Sequence, residues 1–546
     1  MAFVLRFEAA DFDSTVYDMP RLSAIRGASL TYLYSPQRVA SVLAAKAPGR
    51  YAEIFTGASQ GAWTLALDED EARAIAGNVR DALHANDTAG KEPTGVHQHM
   101  AYVVALAEGD GPEALKVAEA SCALAMLQGE GFPLPSFSAA VEGYDALGDR
   151  LRPADGGTIT FSGEKPQSVS QAHKDRWNFG RDQRQAFYER MAEEKPSRAM
   201  TDDFASMVGN PPAGLPKSLN GKFAVFFADG NGIGKMREAA IAAEGLQGLS
   251  KFSKAFKDLQ KGLLRNIVGW LDEGAENRPL IFLDSQEETG DPTAALRFET
   301  LMWGGDEIVF VMPSWLALEF AARFDDWTKD WALASGPNGA KSSVTFSCGL
   351  VVAPSKTPIR QVKAVAEDLV EGLKSMPDVD EGTNRLQIEI FESLALPETD
   401  IASYRMRLFG ADATFDNDQE RNAVAKQLSS ALAIAKRDGV ETLRKRLVAL
   451  KDDEQGIPRS QLYRLLRQAG EEAYRAGSED DASLQSAYDV YLQRAGADHA
   501  PDLPQLNVMA GIGDGQQLAL ALNLAVIASL WDYVLADGFG RGADHG

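Results

Sequence analysis

The chain has 546 residues, more than one hydrophobic core can serve, which points to roughly three or four domains. With 45% hydrophobic and 24% charged residues it reads as an ordinary soluble globular protein. A formal net charge of −23 argues against a protein whose main task is to wrap nucleic acid, and leaves room only for local contacts.

Taken in order, Phe3–Phe7 reads as a strand, and Glu8, Asp11 and Asp13 interrupt the start as a signal peptide would not allow. Tyr51–Phe55 and Ala62–Leu67 flank Gly57-Ala-Ser-Gln-Gly61 as a hairpin. A helix at Asp70–Ala85, a strand at Met100–Ala107 and a helix at Pro112–Leu127 follow. Arg152–Gly221 is rich in Gly, Pro, Ser, Lys and Arg and reads as a linker with one helix near Asp182–Glu193.

Phe223–Ala228 is a short apolar run expected to be a buried strand. It ends in Asp229-Gly-Asn-Gly-Ile-Gly-Lys235, before the helix-like Met236–Gly245. An acid at the end of a core strand, then a glycine-rich turn into a helix, can supply a metal ligand and a phosphate cradle in one loop. The loop is one residue short of a P-loop, lacks its Ser/Thr, and has Lys235 in place of the third glycine of a dinucleotide fingerprint. Glu273–Ala294 is a largely polar insertion, placed to act as a lid or substrate-binding loop.

Leu301–Trp303 and Ile308–Met312 then read as two strands joined by Gly304-Gly305, where positive φ costs nothing. Asp306 and Glu307 open the second strand. Two carboxylates at a tight turn repel unless a divalent cation neutralises them, and hard oxygen ligands suit Mg²⁺ or Mn²⁺. If this strand neighbours Phe223–Ala228, Asp229, Asp306 and Glu307 converge as two-metal phosphoryl transfer requires.

From about Asp418 onward, amphipathic helices are expected at Glu420–Arg437, Glu441–Leu450, Ser460–Arg475 and Leu518–Leu535. Lys436, Arg437, Arg444, Lys445, Arg446, Arg459, Arg464, Arg467 and Arg475 cluster there; interleaved acids favour a solvated face over a surface for RNA or a partner subunit. The apolar run Leu518–Trp531 is too short to span a bilayer. Cys122 and Cys348 sit in apolar segments, as buried thiols in a reducing cytoplasm would. Of the histidines, His84, His97, His99, His173, His499 and His545, none forms a His-Asp dyad, and His97-x-His99 reads as a pair of loop residues.

The stretch from about Phe223 to Lys374 resembles the GGDEF/palm superfamily, most closely the second palm domain of the polymerase-like large subunit of type III CRISPR effector complexes. The residues that carry the resemblance are Asp229, Gly230, Asn231, Gly234 and Lys235, then Gly304, Gly305, Asp306 and Glu307. Val344–Leu350 resembles the family's next core strand, and Ile359–Lys374 the following helix, whose Lys374 is expected to meet the triphosphate. Asn231 replaces a second loop aspartate, and Glu307 replaces the second hairpin aspartate. The guanine-reading residues and inhibitory motif of diguanylate cyclases are absent, so adenine nucleotides fit better. Arg21–Ser29 resembles the start of the family's first-palm helix. With it the amino-terminal strands and helices fall into the β-α-β-β-α-β order of a ferredoxin-like palm. Its hairpin tip carries no acid, so this copy could not hold a metal pair. The HD nuclease domain and zinc ribbon common in relatives have no counterpart here.

The resemblance implies an α+β fold. A degenerate first palm would occupy residues 1–150, a linker with a helix 151–220, the second palm 221–400 and a helical domain 401–546. It implies a cytoplasmic nucleotidyltransferase that converts ATP into a cyclic or linear oligoadenylate messenger and releases pyrophosphate, inside a CRISPR-type ribonucleoprotein with local or indirect RNA contact and no membrane. Two Mg²⁺ or Mn²⁺ ions would be held by Asp229, Asp306 and Glu307. Nucleotide contacts would come from Gly230, Asn231, Gly232, Gly234, Lys235, Gly304, Gly305 and Lys374. A stand-alone cyclic dinucleotide or mononucleotide cyclase, and a catalytically silent nucleotide-binding scaffold, are the alternatives. A template-copying polymerase fits the acidic surface least.

Overall fold

A computed structural model describes residues 1–131, 143–148, 152–160, 165–273, 280–282, 294–334, 339–376, 382–393, 400–408, 417–451, 460, 462–463 and 526–535. The fold is α+β and is built on two sheets. The first contains β1 (Phe3–Ala9), β2 (Tyr51–Thr56), β3 (Gln60–Leu65) and β4 (Tyr102–Glu108), in the order β2-β3-β1-β4. Helices α1 (Leu22–Lys46), α2 (Glu69–Ala82) and α3 (Pro112–Leu127) connect or follow these strands. Asp68 caps α2 by accepting from the Glu71 N–H at 2.9 Å, and Pro112 opens α3 where no helical N–H partner is needed.

The second sheet contains β5 (Lys222–Gly230), β6 (Glu299–Met302), β7 (Glu307–Pro313), β8 (Phe346–Pro354) and β9 (Arg385–Ile390), in the order β6-β7-β5-β8-β9. Its first four strands repeat the order of the first sheet, and β9 is added parallel to β8. The helical span α5 (Ile233–Asp272), kinked where Glu244 and Gly245 leave helical geometry, follows β5, α6 (Ala317–Thr328) follows β7, and α7 (Ile359–Lys374) follows β8. The strand β5 is an unbroken apolar run because both its edges and both its faces are covered. Ala224, Phe226 and Ala228 enter one core, while Phe223, Val225 and Phe227 enter the other. That second core also holds Phe3, Leu5, Phe7, Val16 and Tyr17 from the amino-terminal unit, so the two palms share one apolar layer.

Two expectations change. The helix expected at Asp182–Glu193 is α4 (Gln171–Ala192), and it begins earlier because its first half is held by polar contacts that carry no hydrophobic periodicity. Arg176, fully buried, donates to the carbonyls of Thr15 and His99 and to Asp18. Helices α1 and α4 touch backbone to backbone at two glycines: a Cβ on Gly27 would lie 2.0 Å from the Arg176 carbonyl oxygen, and one on Gly180 would lie 1.8 Å from that of Ser23. The helix expected at Glu420–Arg437 spans Asp418–Ala431, because Ile434 leaves it to pair with Leu386 of β9.

In the carboxy-terminal region, helices α8 (Ile401–Leu408), α9 (Asp418–Ala431) and α10 (Gly439–Leu450) are described. Arg437 pairs with Asp330, and Arg444 and Lys445 with Glu441, as a solvated face requires. Arg459, Arg464, Arg467, Arg475, His499 and His545, nearly all of the expected helix at Ser460–Arg475, and residues 518–525 of the apolar run lie outside the described residues. So do 274–279 and 283–293 of the insertion expected to act as a lid. Among the described residues, no helix is long and apolar enough to cross a membrane.

Candidate active site

Strand register decides where the three acids go. In the β5–β7 pair, Asp229 stands directly opposite Glu307, on the same face of the sheet. Asp306 is the last residue of the turn, and its carbonyl accepts from the Gly230 N–H at 3.0 Å. One backbone hydrogen bond thus ties the loop after β5 to the acidic turn.

The turn itself is held on two sides. Gly304 and Gly305 have φ of 102° and 72°, the left-handed region that glycine alone adopts without strain. A Cβ on Gly304 would lie 2.7 Å from the Cβ of Ala58, at the hairpin tip of the first palm. From the other side Gln260 of α5, itself buried, donates to the Gly305 carbonyl at 2.8 Å. Asp306 and Glu307 open into a cleft of about 290 Å³ whose far wall belongs to the first palm, with Glu8, Asp13, Ser29, Ser59 and Gln60. Sequence reading missed these polar residues. Ser59 and Gln60 lie in the expected hairpin tip and Ser29 in the first-palm helix, without a site role assigned to them.

The electrostatics follow from crowding acids against a hydrophobic sheet. Glu307 keeps an exposed face at the start of β7, yet the packing around its carboxyl pushes it up to about 7, with Asp229 and Asp306 adding to the rise and Lys363 opposing it. Burial also raises Asp229, although Lys374 Nζ sits 2.6 Å from its Oδ2 and works against the rise. Lys374 also bonds Glu371 at 3.1 Å. For Glu307 the sign of the stability effect is clear. Below the ordinary carboxylate range both folded and unfolded chains hold the proton. Between that range and pH of about 7 the unfolded chain releases it first, so the folded state loses stability as pH rises. Glu307→Gln is therefore expected to flatten the fall in melting temperature between about pH 5 and 7.5. Identical slopes in the two proteins would show that Glu307 is not destabilised by its setting.

The loop residues divide. Asn231 is occupied: its Nδ2 donates to Thr345 Oγ1 at 3.1 Å and its Oδ1 accepts from Ser347 Oγ at 2.8 Å. Its amide serves as a clasp onto β8. Gly232, at φ 68°, starts α5, whose first-turn N–H groups at Ile233, Gly234 and Lys235 lack carbonyl partners within the helix. Gly234 and Lys235 are exposed there.

The donor set fits a hard divalent cation. Asp229 and Glu307 face each other across β5 and β7 with Asp306 next along the chain, both facing acids are raised, and Asp229 already holds a cationic ammonium. Among the described residues, no three His, Cys, Asp or Glu side chains are closed around a point in metal-holding geometry. Asp229 is paired with Lys374 instead.

The histidines take no part. His97 lies in a short turn, bonded to the Tyr102 hydroxyl at 2.9 Å and Thr94 Oγ1 at 3.0 Å, and burial pushes it down to about 3. The expectation of no His-Asp pair needs correction in space, since His173 Nδ1 stands 3.3 Å from Asp145 Oδ2. Both side chains are wholly buried at the start of α4, where Asp145 also accepts from Ser170, the cap of that helix. That pair is structural.

Comparison with known proteins agrees with the motifs. Residues 222–381 match the family model of the Cas10/Cmr2 second palm domain. No curated protein matches the chain. A structure of Csm1 from T. onnurineus superposes with a TM-score of 0.52 at 13% identity, covering 97% of this chain and 69% of that one. A Csm1–Csm4 cassette in complex with cA4 gives a TM-score of 0.51 at 12% identity, covering 97% and 70%. The chain thus has a Cas10-like palm fold, and the resemblance read from its motifs holds.

Proposed function

From a Cas10/Cmr2-type second palm whose acids face a cleft, we propose that this chain is a nucleotidyltransferase of a type III CRISPR-like effector complex, joining ATP into a cyclic or linear oligoadenylate. The observation that carries the reading is the Asp229–Glu307 register pair, with Asp306 beside it at the mouth of a cleft shared by both palms. The cA4 in the structurally similar Csm1–Csm4 cassette supports adenylate as the product class. The proposed organisation is a first palm over 1–150, a joining segment over 151–220, the catalytic palm over 221–400 and a helical domain over 401–546.

Asp229, Asp306 and Glu307 would hold Mg²⁺ or Mn²⁺, which supplies activation of the attacking hydroxyl and charge neutralisation at the phosphates. The protein's own residues do the rest. The first-turn N–H groups of α5 with Lys235 face the triphosphate as a positively polarised helix end. Lys374, at the end of α7, is within reach of both the acids and that triphosphate. Ser29, Ser59 and Gln60 offer hydrogen bonds to an acceptor nucleotide lodged between the palms. In the reaction a 3′-hydroxyl oxygen bonds to the α-phosphorus, the bond from that phosphorus to its bridging oxygen breaks, and pyrophosphate leaves while the hydroxyl proton passes to water.

The test is ATP with Mn²⁺, in the presence of the effector complex and its target RNA, followed by pyrophosphate release and product mass. A phosphodiester-linked adenylate is expected, and its mass distinguishes an oligoadenylate from a cyclic dinucleotide or mononucleotide. Tight ATP binding without pyrophosphate would instead establish a nucleotide-binding scaffold. Two contacts favour that second reading: Asn231 is committed to Thr345 and Ser347, and Asp229 to Lys374.

A further inference from the structure

Behind the acidic turn lies a buried lysine that the reaction as drawn does not use. Lys363 projects from α7, and its side chain is 3% exposed. Its Nζ bonds Asp13 Oδ1 at 3.0 Å and also Glu367 one turn along its own helix. The ammonium lies 5.5 Å from the Tyr17 ring centroid and 5.6 Å from that of Phe227. Asp13 and Tyr17 belong to the first palm; Phe227 and Glu367 belong to the second. Asp13 also lines the cleft beside Asp306 and Glu307, and Phe227 precedes Asp229 by two residues on the same face of β5.

We propose that Lys363 is a positioning residue that fastens the first-palm wall of the cleft to the catalytic palm and cancels the carboxylates of Asp13 and Glu367, so that an anionic nucleotide can enter. The physical need is plain. A triphosphate must approach a cleft that already holds Glu8, Asp13, Asp306 and Glu307, and unpaired carboxylates on its walls would repel it. A long side chain from α7 is buried at the cost of desolvating its charge, and that cost is offset only because two carboxylates and two ring faces meet it. Arginine could keep the charge and the bridge, whereas methionine keeps the volume and loses both.

This inference rests on the nucleotidyltransferase reading for its kinetic consequence but not for its structural one, so the experiment has two arms. In the first, a double-mutant cycle of Asp13→Asn and Lys363→Met is measured by thermal unfolding of the full chain, which reports the bridge whether or not nucleotide binds. A non-additive melting shift is expected, and strict additivity overturns the proposal. In the second, binding of a non-hydrolysable ATP analogue and the KM for ATP are measured for the same proteins. Lys363→Met is expected to weaken both by about tenfold with kcat less affected. Lys363→Arg should stay near wild type, and Asp13→Asn should partly rescue Lys363→Met by removing the carboxylate that then stands uncompensated on the cleft wall. A purely structural lysine would give no such rescue, and that result would also overturn the proposal. If wild type binds no nucleotide while the melting cycle shows coupling, the enzymatic reading fails and the bridge stands.

Discussion

Replacing Asp306 with Asn and Glu307 with Gln together should abolish pyrophosphate release, a loss of at least about 10³-fold, while leaving the chain as stable as wild type or more so. The two halves of that result have one cause. Glu307 is pushed up to about 7 by burial and by Asp229 and Asp306, so the folded chain holds mutually repelling groups that do nothing for its cohesion. Neutral amides of the same shape relieve that repulsion, as happens when a site strained for chemistry is dismantled. Loss of activity with a lowered melting temperature would mean that the acids hold the hairpin together, and the catalytic assignment would lose its footing. Full activity in the double variant would remove it outright.

Glu299→Ala should lower stability by roughly 3–5 kcal/mol, a large share of the 5–15 kcal/mol typical of folded domains. Glu299 lies on β6, the first strand of the acidic hairpin, and meets Arg26 of α1 with side chains 3% and 2% exposed. Arg26 Nε reaches the two carboxylate oxygens at 3.1 and 2.9 Å, and its other nitrogens donate to the Gly180 and Thr201 carbonyls. Removing the glutamate strands a guanidinium in the interior. Burial raises the Glu299 carboxyl, and burial also works against the Arg26 guanidinium, which Glu299 nevertheless holds above its ordinary value, so the two buried charges depend on each other. Arg26→Met combined with Glu299→Leu should therefore recover most of the loss in a denaturant or thermal melt. An unchanged melt for Glu299→Ala would show that the pair contributes nothing.

The acidic site was legible because its signals are local. An apolar run ending in Asp229 reads as a buried strand and a Gly-Gly turn before Asp306 and Glu307 as a hairpin, and both are found. Helix α7 spans the residues, Ile359–Lys374, that the family resemblance implied. The first half of α4 was not legible. Its burial depends on Arg176 and on glycine contacts with α1, which leave no apolar stripe in the sequence. Nor could the far wall of the cleft be read. Glu8, Asp13 and Ser59 look like surface residues along the chain, and only the packing of one palm on the other turns them toward the acids. Asn231 shows the opposite failure: its place in the motif suggested nucleotide or metal, and the fold spends both its amide atoms on Thr345 and Ser347.

The apolar layer common to the two sheets makes each dependent on the other. Phe223, Val225, Phe227, Val309 and Val351 are sealed in company with Phe3, Phe7, Val16 and Tyr17. Deleting the amino-terminal unit would bare an oily underside on the other, with the aggregation that follows from such exposure. The amino-terminal unit thus serves as a roof: the hydrophobic surface it hides is reason enough for the chain to keep it.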